Sequence, residues 1–172
     1  WSVFSPTYDK ERCLIMRLKE ILSPEAICIH GEAADQLEAI GKLVQLQKKN
    51  GCLQDESTYR SAIYAREDVT STALDGGIAI PHAKSKAISK PCVSFATLKK
   101  GVEWGAYDHS KSDLLFMIGA PMEGNEHLRL LTYITTLLAE VPALADQLRK
   151  AETVQQVYDC IEAAELRCFG KE

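Results

Sequence analysis

Four histidines carry the most versatile chemistry in this chain: His30, His82, His109 and His127. An imidazole can bind metal, move a proton or attack phosphorus, because a pKa of about 6.5 leaves one ring nitrogen bare at neutral pH. A metal site is not indicated. No two histidines stand at the H-x-x-x-H spacing of one helical face, and no cysteine or carboxylate pattern completes a ligand set. His30 follows an apolar run and precedes Gly31, which reads as a surface turn. His109 lies in the polar stretch YDHSKSD and reads as a solvated turn residue.

His82 differs in context. It closes the run GGIAIPH (76–82), where an apolar stretch stops at a proline. Pro81 fixes its own φ and biases Ile80 to an extended conformation, while Gly76 and Gly77 open backbone conformations closed to other residues. Such a frame aims an imidazole rigidly from a strand end, as a nucleophile requires. The plainer reading is a polar residue satisfied at that end. His127 opens a helical stretch in GNEHLRLL, with Gly124 and Asn125 as turn and cap. A helix start offers N–H groups and partial positive charge to an anion such as phosphate. Arg66 closes another helical stretch beside a Ser/Thr-rich loop. There a guanidinium could pair with a phosphoryl group, or with Glu67 or Asp68 as an ordinary ion pair.

These residues need elements to hold them. Apolar positions 14, 15, 18, 21 and 22 predict a helix over 6–22, started by Pro6 or Asp9. A turn at Ser23-Pro24 leads into a short strand ending at His30. A second helix spans 33–51, with Leu37, Ile40, Leu43, Val44 and Gln47 facing inward and Lys48, Lys49, Asn50 and Gly51 ending it. A third spans 55–68, capped by Asp55 or Ser57, with Tyr59, Ala62 and Ile63 inward. Residues 68–77 read as a polar loop. Strands follow at 78–80, 92–98 and 113–119, the last apolar throughout, as a central strand covered on both faces would be. Helices at 125–141, 142–150 and 153–165 complete the chain, the final one capped by Thr153. The pattern is that of an α/β fold, a single mixed β-sheet flanked by helices on both faces.

Composition narrows the function classes. The chain has 172 residues, 46% of them hydrophobic and 26% charged, which fits one soluble globular domain. A net charge of −4 provides no global basic field for nucleic acid or anionic lipid. No apolar run approaches the ~20 residues that span a membrane. The chain begins at Trp1 without a signal-peptide pattern, and the missing initiator methionine points to processing or excision from a longer chain. Cys13, Cys28, Cys52, Cys92, Cys160 and Cys168 form no C-x-x-C and are expected as reduced thiols of a cytoplasmic protein.

Read in order, YAREDVTSTALDGGIAIPHAKSKAISKP, LKKGVEW, LLFMIGAP and NEHLRLLTYITTLL resemble the EIIA domain of the bacterial phosphoenolpyruvate-dependent sugar phosphotransferase system (PTS). The match is to the fructose/mannitol type, which includes the nitrogen-regulatory members. It implies an EIIA domain over 18–168 preceded by an N-terminal extension, 1–17. By this resemblance His82 is the phosphoryl acceptor, and His127 and Arg66 stabilise the phosphoryl group. The donor is phosphorylated HPr, the acceptor a cysteine of EIIB, and the EIIC permease is served indirectly. The implied chemistry is a phosphotransferase relay that uses no metal, nucleotide or other cofactor; no P-loop is present. Neither nucleic acid nor direct membrane insertion is expected. AIPHAKSKAISKP and LKKGVEW lean toward fructose. Two other readings stay open: a regulatory module switched by His82 phosphorylation, and a small-molecule-binding domain with a structural His82. Two departures stand out from the family pattern. The loop GAYDHSKSD is unusual, and Glu126 precedes His127, where it is expected to point outward from the first helical turn.

Overall fold

Strand β6 (Ser112–Ala120) is buried almost along its whole length, and the other elements are arranged about it. The computed structural model describes residues 17–170. The expected helix start at Pro6 or Asp9, positions 14 and 15, Cys13 and all but the last residue of the 1–17 extension lie outside that range.

The elements run α1 (Leu18–Ile21), a 3-10 turn (Pro24–Ala26), β1 (Ile27–Gly31), α2 (Gln36–Lys49), α3 (Glu56–Val69), β2 (Ala73–Leu74), β3 (Ile78–Ala79), β4 (His82–Lys84), β5 (Cys92–Val102), β6, α4 (Glu126–Glu140), α5 (Leu144–Lys150) and α6 (Val154–Phe169). Among the described residues the strands form one mixed sheet in the order β1-β5-β6-β3-β2, with β4 also pairing β6. β1 is parallel to β5, and β5 antiparallel to β6. β3 and β4 are both parallel to β6. The register does not slip across Pro81: Ile78 lies beside Leu114 and His82 beside Ile118. β3 and β4 are thus one strand interrupted by a residue that has no N–H to give the ladder.

The sheet separates two apolar layers. On one face Ile78, Ile80, Val93, Phe95, Leu114, Phe116 and Ile118 pack with α1, α4, α5 and α6. On the other Ala79, Ala83, Cys92, Leu115 and Met117 pack with α2 and α3. The mixed sheet with helices on both faces agrees with the pattern in the sequence.

Several local expectations need correction. Leu37 is 60% exposed, because it lies in the first turn of α2, short of the packed stripe. Gln47 does face inward, where its amide donates to the Met117 carbonyl at 3.0 Å and satisfies a buried polar group. The polar loop 68–77 contains β2, too short to leave a periodic signal. His30 sits within β1 rather than at a free surface turn; its Nε2 lies 2.9 Å from the Arg149 carbonyl, and its φ of 51° is a left-handed conformation. His109 is an exposed loop residue, as expected. The thiols are not all free: Cys52 and Cys92 form a disulfide, with Cα atoms 6.6 Å apart. The chain segments that pair Ser89 N–H with the Cys52 carbonyl bring these two cysteines together across 40 residues, a contact that no local spacing announces. Cys28, Cys160 and Cys168 are free.

Gly119 shows how closely the layer behind His82 is packed. A Cβ there would lie 3.0 Å from the Tyr59 hydroxyl, 3.1 Å from Ile88 Cδ1 and 3.2 Å from Cys92 Sγ. Tyr59 is fully buried and donates to the Ile118 carbonyl at 3.1 Å, so it cannot retreat freely. Gly119→Ala is therefore expected to lower stability by about 1–3 kcal/mol, as overpacking does. Urea unfolding checks this; an unchanged midpoint would show that the layer yields more easily than its geometry implies.

Candidate functional site

His82 begins β4 at the point where Pro81 interrupts the strand. Ile78 and Ile80 face the α4 layer, and alternation places His82 and Lys84 on that same face. The turn before this strand, Asp75-Gly76-Gly77, reverses the chain between β2 and β3. Gly76 and Gly77 take φ of 83° and 80° there, conformations that a Cβ disfavours.

The His82 ring folds back on its own strand. Nδ1 lies 2.7 Å from the Ile80 carbonyl oxygen. A carbonyl only accepts, so Nδ1 carries the proton and Nε2 keeps its lone pair. Burial is the main influence that lowers the His82 pKa below its ordinary 6.5, and the Arg66 charge lowers it further. The Ile80 hydrogen bond and Glu67 act in the opposite sense. The net result is a neutral imidazole with a defined bare nitrogen.

A cleft of about 320 Å³ opens in front of this ring, between α3, the 71–74 segment and α4. Arg66, Ser71, Thr72, Leu74, Leu131 and Thr135 are among the residues that line it. Arg66 comes from the last turn of α3 and donates from Nη1 to the Thr70 carbonyl at 2.8 Å. It forms no ion pair among the described residues, so the ordinary pairing with Glu67 or Asp68 is not what holds it. The Glu67 carboxylate instead accepts from the Thr72 N–H at 3.1 Å, from the Thr72 hydroxyl, and from Trp104 Nε1 at 3.3 Å.

His127 lies in the first turn of α4 and does not line the cleft itself. Its pKa is lowered chiefly by burial, then by the nearby Lys84 and His82 charges, against Glu126. His127 Nδ1 is buried without a hydrogen-bond partner among the described residues. Lys84 fixes the approach of α4 to β4, donating from Nζ to the Gly124 carbonyl at 3.0 Å. Asn125 occupies the N-cap position without a side-chain capping bond, contrary to the expected cap. Glu126 is half-buried, with its carboxylate turned back onto Gly124. The structure thus brings His82 and Arg66 into one cleft and sets His127 close enough for the His82 charge to disfavour its protonation.

A sequence profile of the phosphoenolpyruvate-dependent sugar phosphotransferase system, EIIA 2, matches residues 20–164. The chain belongs to this EIIA family. It is 35% identical over 148 residues to the fructose-specific EIIABC component of Bacillus subtilis, covering 85% of this chain but 23% of that protein. The chain therefore spans about a quarter of that relative's length. It is also 35% identical over 138 residues to the fructose-specific EIIA component of Haloferax volcanii, covering 80% of this chain and 89% of that one. The nitrogen regulatory protein of Pseudomonas aeruginosa is 28% identical over 148 residues, covering 86% and 96%. Among solved structures, the complex of enzyme IIA mannitol with phosphorylated enzyme IIB mannitol from Escherichia coli aligns with a TM-score of 0.72. That alignment has 27% identity and covers 82% of this chain and 96% of that one.

For an EIIA chain, the sequence had singled out His82, His127 and Arg66. It singles out the Ser71-Thr72 loop as well, but not Lys84 or the bonded role of Glu67. The Arg-Glu pair and the Ser-Thr loop were visible, but their hydrogen bonds depend on how the hairpin folds back on α3.

The direction of the His82 shift gives a testable sign. The folded pKa lies below 6.5, so the neutral ring's contribution to stability is fully present above pH 6.5. It is lost as pH falls from there through the folded value. NMR titration is expected to place the His82 midpoint below 6.5 and to raise it in Arg66→Ala, where a repelling charge is removed. A midpoint above 6.5 in the unaltered protein would contradict the assigned environment.

Proposed function

We propose that this chain is the phosphoryl-relay EIIA component of a sugar PTS, its EIIA domain spanning 18–168. His82 takes a phosphoryl group from phospho-HPr and passes it to a cysteine of EIIB, in the cytoplasm, for uptake of fructose. The observation that carries this reading is the Nδ1–H bond to Ile80, which leaves Nε2 bare at the cleft that Arg66 lines.

In the first step the Nε2 lone pair attacks phosphorus, and the donor's P–N bond breaks, its electron pair returning to the HPr histidine. Nδ1 keeps its proton, so the His82 ring becomes cationic while it carries the phosphoryl group. The Ile80 carbonyl then accepts a charge-assisted bond. In the second step an EIIB thiolate attacks phosphorus. The Nε2–P bond breaks, and its pair returns to a ring that leaves as neutral imidazole. Phosphoryl transfer passes through a loose transition state with charge on the peripheral oxygens, so positioning and fixed positive charge supply the catalysis. The Arg66 guanidinium supplies that fixed charge, and His127 at the α4 start, held neutral by burial, stabilises the phosphoryl oxygens as a hydrogen-bond donor.

The rim of the cleft suits transient protein partners. Leu74 lines it, Met122 lies in the turn that Lys84 holds, and Leu128 follows His127; they are 38%, 58% and 51% exposed. Scattered apolar contacts around a charged centre fit a small interface that forms and releases. EIIB is favoured as one partner, since EIIA and EIIB are fused in a related chain and complexed in a related structure. A second reading, a regulatory module whose His82 phosphorylation switches binding to a regulator, is supported by the likeness to the nitrogen regulatory protein along nearly its whole length.

Incubation with phosphoenolpyruvate, enzyme I and HPr is expected to give an acid-labile, base-stable phosphate that His82→Ala abolishes. His127→Ala is expected to slow transfer roughly 10²-fold with the fold intact. Undiminished labelling of His82→Ala would move the site elsewhere. Labelled protein that cannot discharge to a fructose-type EIIB would favour the regulatory reading.

A further inference from the structure

The β2–β3 hairpin is left incomplete at one pair, and that defect adjoins His82. Ala73 pairs with Ala79 and Leu74 with Ile78, so the next pair outward is Thr72 with Ile80. The Ile80 N–H does donate to the Thr72 carbonyl, at 3.1 Å. In a regular antiparallel ladder such a pair exchanges both bonds, so Thr72 N–H would donate to the Ile80 carbonyl in return. It does not. Thr72 N–H donates to Glu67 Oε2 at 3.1 Å, and the Ile80 carbonyl receives His82 Nδ1 at 2.7 Å.

We propose that Glu67 is a positioning residue for His82: by capturing the Thr72 N–H it opens the hairpin and leaves the Ile80 carbonyl to hold the imidazole in its reactive tautomer. The proposal rests on the reading of His82 as the phosphoryl acceptor. Only an acceptor with two oxygens fits the position. Oε2 serves the Thr72 N–H, while Oε1 serves the Thr72 hydroxyl and Trp104 Nε1. Trp104 is buried and anchors this arrangement from the segment after β5, and its carbonyl accepts from the Ser71 hydroxyl at 2.5 Å. Glu67 therefore orders the 70–73 segment that carries the Arg66 partner Thr70 and part of the cleft wall. It also places a negative charge near the ring, opposite in sign to Arg66; His127 on α4 lies close enough to feel the charge of this ring and that of Lys84 on β4.

The test compares Glu67→Ala with the unaltered protein by 15N NMR of the neutral His82 ring and by phosphoryl transfer from phospho-HPr. The unaltered ring is expected to show Nδ1 protonated and Nε2 bare. In Glu67→Ala the Thr72 N–H is free to close on Ile80, so a mixture of tautomers is expected, with transfer about tenfold slower. Glu67→Gln is the second variant should the first not fold. Its amide has one oxygen for the two N–H donors, and the same changes are expected in smaller measure. A folded variant with an unaltered tautomer overturns the proposal, whether or not its rate falls. Should the unaltered protein accept no phosphoryl group while the variant's tautomer shifts, the relay reading fails and the positioning role stands. Should the unaltered protein accept it and the variant match it in both readouts, the positioning role fails and the relay stands.

Discussion

The bond between His82 Nδ1–H and the Ile80 carbonyl is the constraint on which the site depends. It links two residues on either side of one proline, so it is short-range and costs little chain entropy to form. It decides which ring nitrogen is protonated, and with that which one can attack. Pro81 makes the arrangement possible by breaking the ladder without breaking the register: β3 and β4 keep the same alignment to β6 on both sides of it. The rigid β6 behind them, buried among two apolar layers, then fixes where the ring can point.

Charge is arranged around the neutral ring rather than on it. Burial and the neighbouring guanidinium both disfavour a His82 imidazolium, so the positive charge that a phosphoryl group requires comes from outside the ring. In the proposed relay Arg66 supplies it from the end of one helix, and His127 stands at the start of another. These two helices lie on opposite faces of the sheet, and they converge at the edge where β2 is only two residues long. The short edge strand is thus what lets α3 and α4 reach the same cleft.

Much of this was legible in the sequence. The long amphipathic helices and the apolar strands announce themselves by period, and Pro81 with Gly76 and Gly77 marks the turn and the strand break beside His82. The ordered set of Arg66, the Ser/Thr loop, His82 and His127 specified the family. What was not legible depends on non-local hydrogen bonding. Gln47 reads as a poor member of an apolar stripe until the Met117 carbonyl is seen above it. His30 reads as a turn until β1 pairs with β5 and the Arg149 carbonyl reaches its ring. Cys52 and Cys92 carry no spacing signal because the pairing of chain segments 40 residues apart joins them. Glu67 looked like the neighbour of an active-site arginine; its role appears only when Thr72 is found to give its N–H to a side chain instead of a strand.

The central claim is that Nε2 of His82 is the atom that reacts. The most direct measurement is the phosphorus–nitrogen coupling in 15N-labelled protein phosphorylated through HPr. The account predicts phosphorus bonded to Nε2, with the proton retained on Nδ1. Phosphorus bonded to Nδ1 would contradict it, since that nitrogen would first have to give up the Ile80 carbonyl.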